Sequence, residues 1–261
     1  MAYELPKVWQ WEEENTEKSG NRPTAGSRFD QKLPVGEAPF QLYSLGTPNG
    51  IKITIMFEEL KELGVTEADY DVYKINIGEG DQFGSDFVEI NPNSKIPALV
   101  DQSETPRLEI FESASILLYL AEKYNQLLPT DVHGRNETIN WLFWQIGSAP
   151  YVGGGFGHFF AYAPEPMKYP IDRFTMETKR QLDLLDKTLA ERPYIAGGTY
   201  TIADIAIWSW YGRLVLGDLY EGSAEFLNVD EYTHLLEWAN RIVGRPGVQK
   251  GLDVEYQSIE E

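Results

Sequence analysis

Three short segments of this 261-residue chain carry residue types whose spacing could do chemistry on a bound ligand. Thr47, Pro48 and Asn49 fall where a strand pattern hands over to a helical one. Taken alone, they read as a turn and an N-cap. Ile96-Pro97, ahead of a second strand, adds a proline that can take the cis form and leave the preceding backbone free to pair with a ligand. Phe111-Glu112-Ser113 sets a carboxylate beside a serine at a helix start, which suits a ligand bearing both an amine and a carboxylate. Together the three segments imply a peptide-like ligand.

Other patterns fail on context. Gly153-Gly154-Gly155-Phe156-Gly157-His158 misses the last glycine of a dinucleotide fingerprint and follows a helix instead of a strand, so close helix packing or a bend is the better reading. Gly46 to Gly50 lacks the lysine and hydroxyl of a phosphate loop, although it opens a helix whose N-terminus favours an anion. Leu42-Tyr43-Ser44-Leu45-Gly46 has leucine where a nucleophile elbow needs its first glycine, which makes Ser44 a strand residue. His133, His158 and His234 are scattered without ligand spacing, so no metal site is expected. The chain has no cysteine, which excludes disulfides, cysteine-ligated metals and a protein thiol nucleophile. Any sulfur chemistry must use a borrowed thiol.

The elements that position these segments follow from periodicity. Residues 1–38 are polar, with glycine and proline breaks and no sustained period, and read as an extended arm. Phe40 to Leu45 alternates as a strand, Ile51 to Leu63 has helical spacing, and Asp71 to Ile77 is a second strand followed by a polar loop, Gly78 to Ser85. Ile96 to Val100 and Arg107 to Phe111 form a hairpin, and Ser113 to Tyr124 is a helix. After Leu127-Leu128-Pro129-Thr130-Asp131 strand signals stop. Helices are expected over 137–147, 171–189 and 232–243, the last stopping at Gly244-Arg245-Pro246. Another begins at Thr201-Ile202-Ala203-Asp204, where Thr201 and Asp204 match a capping box, and runs into the apolar stretch 205–210.

Composition narrows the function classes. Hydrophobic residues reach 42% and aromatics 13%, too many for a disordered chain. A formal net charge of −19 repels phosphate backbones and anionic lipid, so neither a nucleic-acid nor a membrane partner is expected. No apolar run approaches the ~20 residues of a membrane span, and Trp9 to Glu14 stands where a signal peptide needs its apolar region, which leaves a cytoplasmic location.

Thr47-Pro48-Asn49-Gly50, the run from Asn91 through Pro97 to Leu99, Phe111-Glu112-Ser113 and Thr201-Ile202-Ala203-Asp204 resemble the ordered signatures of the glutathione transferase family. Asn21-Arg22-Pro23, the T-P-N turn and Asn140-Trp141-Leu142-Phe143-Trp144 resemble its nu class and the bacterial disulfide-bond reductases. The resemblance implies an α/β thioredoxin-like domain over 39–128, an all-α domain over 129–261, and a homodimer. It implies glutathione as co-substrate, with Thr47 and Asn49 as catalytic residues facing its thiol. Ile96, before Pro97, would pair its backbone with the cysteinyl unit, while Glu112 and Ser113 would hold the γ-glutamyl end. Asn21, Pro48, Gln82 and Lys95 are further glutathione contacts by the same resemblance, and Arg173 a cation near a second ligand. The implied activity is reduction of disulfides by two glutathione thiols. Conjugation or deconjugation of electrophiles, and a non-catalytic glutathione-binding role, are the alternatives.

Overall fold

The computed structural model describes residues 4–12 and 20–259; residues 1–3 and 13–19 of the expected arm, and residues 260–261, lie outside the described residues. In chain order the elements are β1 (Phe40–Ser44), α1 (Ile51–Glu62), β2 (Tyr70–Lys74), α2 (Ser85–Ile90), β3 (Ala98–Asp101), β4 (Leu108–Phe111), α3 (Ser113–Tyr124) and α4 (Val132–Pro150). They continue with α5 (Lys168–Leu189), α6 (Ile202–Ile207), α7 (Arg213–Val215), α8 (Ser223–Leu227), α9 (Thr233–Val243) and α10 (Pro246–Leu252). By their contacts they fall into two compact units. The first holds the chain up to Leu45, Asp71–Phe111 and the end from Tyr256; the second holds Gly46–Tyr70 and Glu112–Glu255.

The first unit is built on a four-stranded sheet in the order β2-β1-β3-β4. β1 runs antiparallel to β3, with Phe40 opposite Asp101 and Tyr43 opposite Ala98, and β3 runs antiparallel to β4 as the expected hairpin. Every residue of β1 is buried. The polar one, Gln41, is satisfied by accepting from the Gly36 amide and donating to the Ala38 carbonyl and Asp71. Tyr43, Tyr73, Ile75, Phe87, Ile90, Ala98 and Val100 form one apolar cluster in this unit. The arm from residue 20 is held along it by side chains that satisfy its backbone: Ser85 Oγ accepts from the Gln31 amide, Asp86 from Leu33, and Asp71 from Ala38. α2 begins where the expected polar loop ends and fills 86–90, where no element was expected; its six residues span too few turns for a helical period to show.

The second unit is helical. α1 is buried almost all round, as an apolar helix enclosed by its neighbours must be. It carries two fully buried charged side chains, Lys52 and Glu59. Glu59 accepts a bidentate pair from Arg245 at 2.8 and 2.7 Å, the geometry that makes a buried carboxylate tolerable. The capping box forms as the sequence implies: Thr201 Oγ1 accepts from the Ala203 amide while Asp204 accepts from the Thr201 amide. Asp204 also takes hydrogen bonds from the Ile195 amide and the Trp238 indole. Burial still lifts its pKa above the usual carboxylate value.

Two helical expectations are corrected. The helix expected over 137–147 begins at Val132, where Asp131 caps it, and continues as a π-helical segment, Tyr151–Tyr162, through the glycine-rich run. There the glycines serve close packing. A Cβ on Gly155 would stand 2.4 Å from Phe174, and one on Gly157 2.2 Å from Tyr220. Finally, Pro246 does not end the chain's helical part. It opens α10 from the first helical position, where its missing N–H costs nothing.

Candidate functional site

In the first unit the Ile96–Pro97 peptide is cis, with Pro97 buried and Ile96 half-buried. The approach to it is shaped by Asn91, whose side chain donates to the Lys95 carbonyl at 2.5 Å and accepts from the Asn93 amide. Ser94 takes a positive φ of 54° to complete the bend. Lys95 is exposed and donates to Asn21 of the arm at 3.2 Å, so these two expected contacts meet each other. Gln82 is buried, and its Oε1 has no hydrogen-bond partner among the described residues. A buried amide oxygen left this way costs free energy unless a ligand donor reaches it.

In the second unit Thr47, Pro48 and Asn49 are half-buried in the turn that leads into α1. Thr47 Oγ1 accepts from the Gly50 amide at 3.3 Å, and its carbonyl accepts from the Ile51 amide at 3.0 Å. The Thr47 hydroxyl hydrogen is thereby left to donate elsewhere. Asn49 Oδ1 accepts from the Trp210 indole at 2.9 Å. Glu112 is exposed and precedes α3 with φ of 68°, a left-handed conformation that a non-glycine residue holds only when its surroundings impose it. Ser113, the first residue of α3, is buried.

Behind Ser113 lies a residue that no sequence motif singles out. Lys52 Nζ donates to Ser113 Oγ at 3.1 Å and to Gln145 Oε1 at 2.9 Å. Burial drives its pKa down to about 7, against the opposing pull of Glu112, which favours the charged form. A titratable amine near neutrality thus contacts the serine expected to hold the γ-glutamyl end. The signal available in sequence is a lone lysine inside the apolar run Ile51-Lys52-Ile53-Thr54-Ile55. Arg173 stands apart from these bonds, exposed on α5, where its charge helps lower the pKa of Glu177. Among the described residues no group of His, Asp and Glu could hold a metal ion, and no helix is long and apolar enough to cross a membrane.

The chain matches two family descriptions, the glutathione S-transferase N-terminal domain over residues 38–122 and its C-terminal domain over residues 169–241. It is 56% identical to the disulfide-bond oxidoreductase YghU of Escherichia coli, over 96% of this chain and 87% of that protein. A glutathione transferase YghU from Streptococcus pneumoniae, solved in complex with glutathione, superposes with a TM-score of 0.97 at 64% identity, covering 99% of this chain and all of that one. A glutathione transferase from Pseudomonas putida, solved with one glutathione disulfide per subunit, gives a TM-score of 0.76 at 37% identity, covering 85% of this chain and 94% of the other.

Proposed function

The chain belongs to the glutathione S-transferase family, and from that premise we propose that it is a disulfide-bond reductase that draws both reducing thiols from glutathione. In the first step a glutathione thiolate attacks one sulfur of the substrate disulfide, forming a mixed disulfide and releasing one substrate thiolate. A second glutathione thiolate then attacks the glutathione sulfur of that mixed disulfide. Oxidised glutathione forms and the other substrate thiolate leaves. Two glutathione thiols are oxidised for each disulfide reduced to two thiols, and the two thiolates released take up the protons lost by the attacking thiols.

Thr47 and Asn49 face the reacting sulfur in this reading. The observation that carries it is the donor inventory of the turn: the Thr47 oxygen and the Asn49 oxygen are both occupied as acceptors, which leaves an O–H and an NH2 to donate. Hydrogen bonds to a thiolate, together with the N-terminus of the twelve-residue α1, lower the thiol pKa and raise the reactive fraction near neutrality. Ile96 pairs its backbone with the cysteinyl unit beside Pro97; Glu112 and Ser113 hold the γ-glutamyl end. Pro48, Gln82, Lys95 and Asn21 are further contacts, Gln82 through its unpartnered oxygen. Arg173 balances the carboxylates of a second glutathione.

We place the protein in the nu class, as a cytoplasmic homodimer with an arm over 1–38 and domains over 39–128 and 129–261. A reducing compartment suits a chain without cysteine whose chemistry depends on free glutathione. The test is turnover on small disulfides and on electrophiles side by side, with glutathione as the common co-substrate. Faster, glutathione-dependent disulfide reduction is expected. Turnover confined to electrophiles would make conjugation the activity, and binding without turnover would make the protein a glutathione-binding regulator.

A further inference from the structure

We infer that Trp210 is a positioning residue, which sets the orientation of the Asn49 amide so that its NH2 group faces the glutathione sulfur. The inference rests on the reading that Asn49 lies at the thiol. Trp210 belongs to a π-helical segment, Trp208–Gly212, that continues α6. Its indole Nε1 stands 2.9 Å from Asn49 Oδ1, across 161 residues of sequence. An indole N–H can only donate, so the Asn49 atom facing it must be the carbonyl oxygen. The amide is planar and its oxygen and nitrogen are opposed. Fixing the oxygen on Trp210 therefore turns both N–H hydrogens the other way. A free asparagine amide rotates over a broad, roughly two-fold torsion and presents its oxygen to a thiolate in part of its population. An oxygen there repels the anion that the site must stabilise.

The indole is itself held by Gly153, the first glycine of the glycine-rich run. A Cβ on Gly153 would stand 2.5 Å from Trp210 Cη2 and 2.8 Å from its Cζ3. The ring thus occupies the space that any other residue at 153 would fill. Gly153 lets Trp210 close on the helix, and Trp210 in turn fixes Asn49. This separates Gly153 from Gly155 and Gly157, whose missing Cβ atoms accommodate Phe174 and Tyr220.

The test combines Trp210→Phe, which keeps a ring and removes the N–H, with Gly153→Ala, which displaces the indole without altering it. Both are assayed for disulfide reduction across pH, alone and with Asn49→Ala. Each should lower kcat/KM about threefold to tenfold and move the thiol midpoint of the pH profile upward, as expected when a charge-assisted hydrogen bond loses its preset orientation. Neither should have a further effect once Asn49 is alanine. If Asn49→Ala impairs turnover while Trp210→Phe and Gly153→Ala leave the pH midpoint unmoved, the inference is wrong and the role of Asn49 stands. It is equally wrong if Trp210→Phe costs as much in the alanine background. If Asn49→Ala itself leaves turnover and pH profile unchanged, the reading beneath the inference fails.

Discussion

Lys52 offers a prediction whose magnitude can be worked from its surroundings. Its amine is fully buried, bonded to Ser113 and Gln145, and its pKa falls from 10.5 to about 7 because burial disfavours the charge. The folded protein therefore gives up this proton near pH 7, while the unfolded chain keeps it until about pH 10.5. Between those values the unfolded state binds more protons, so the Lys52 contribution to stability rises with pH, by about 1.4 kcal/mol per unit. It is complete above the unfolded pKa and lost as pH falls through the folded one. Over the whole window the difference is about 5 kcal/mol at most. Lys52→Met removes the titration and keeps the volume. It also strips Ser113 and Gln145 of a partner, but that cost does not depend on pH. Urea unfolding of both proteins from pH 6 to 9.5 should give a stability difference that is flat below pH 7 and then moves in favour of the lysine protein, by about 3 kcal/mol between pH 7.5 and 9.5. Parallel stability curves would refute a burial-shifted amine at this position.

Three other substitutions or ligands probe neighbouring parts of the site and its support. Thr47→Ala should lower disulfide reduction at least about tenfold, the worth of a charge-assisted hydrogen bond, and change stability by under about 1 kcal/mol because the hydroxyl contributes to the fold through a long 3.3 Å bond from Gly50; steady-state kinetics and thermal melts check both. Binding of S-methylglutathione, which has no ionisable thiol, should draw protons onto the protein at pH 8, since a ligand carboxylate at Ser113 raises the Lys52 pKa, and Lys52→Met should abolish the uptake; calorimetry in buffers of different ionisation enthalpy measures it. Asp204→Ala strands the amides of Ile195 and Thr201 and the Trp238 indole, and should cost about 3–5 kcal/mol in denaturant unfolding.

Where local rules act, the sequence is readable. The alternation of Phe40 to Leu45, the hairpin strands, the Ser113 to Tyr124 helix and the Thr201-Asp204 capping box each depend on residues within a few positions of one another. Pro246 misleads because a proline after a glycine signals both the end of one helix and the start of another, and it is the second that applies at α10. The glycine run is readable as close packing, but nothing local says that Trp210, Phe174 and Tyr220 are what it packs against. In the candidate site the same divide holds. Thr47, Asn49, Glu112 and Ser113 stand out as turn and helix-start residues, while their roles come from the family resemblance. Lys52 reaches Gln145 across 93 residues and Trp210 reaches Asn49 across 161, and no spacing pattern encodes contacts that tertiary packing creates.

If a chain without cysteine reduces disulfides with two glutathione thiols, each subunit must hold both, and ligand stoichiometry decides whether it does. Isothermal titration at saturating ligand should find two reduced glutathione molecules, or one oxidised glutathione, per subunit. Arg173→Ala should weaken binding of oxidised glutathione more than binding of the first reduced molecule, because the second set of carboxylates enters a chain already at −19 and needs a local cation. A stoichiometry of one reduced glutathione per subunit, with no binding of the oxidised form, would contradict the two-thiol mechanism.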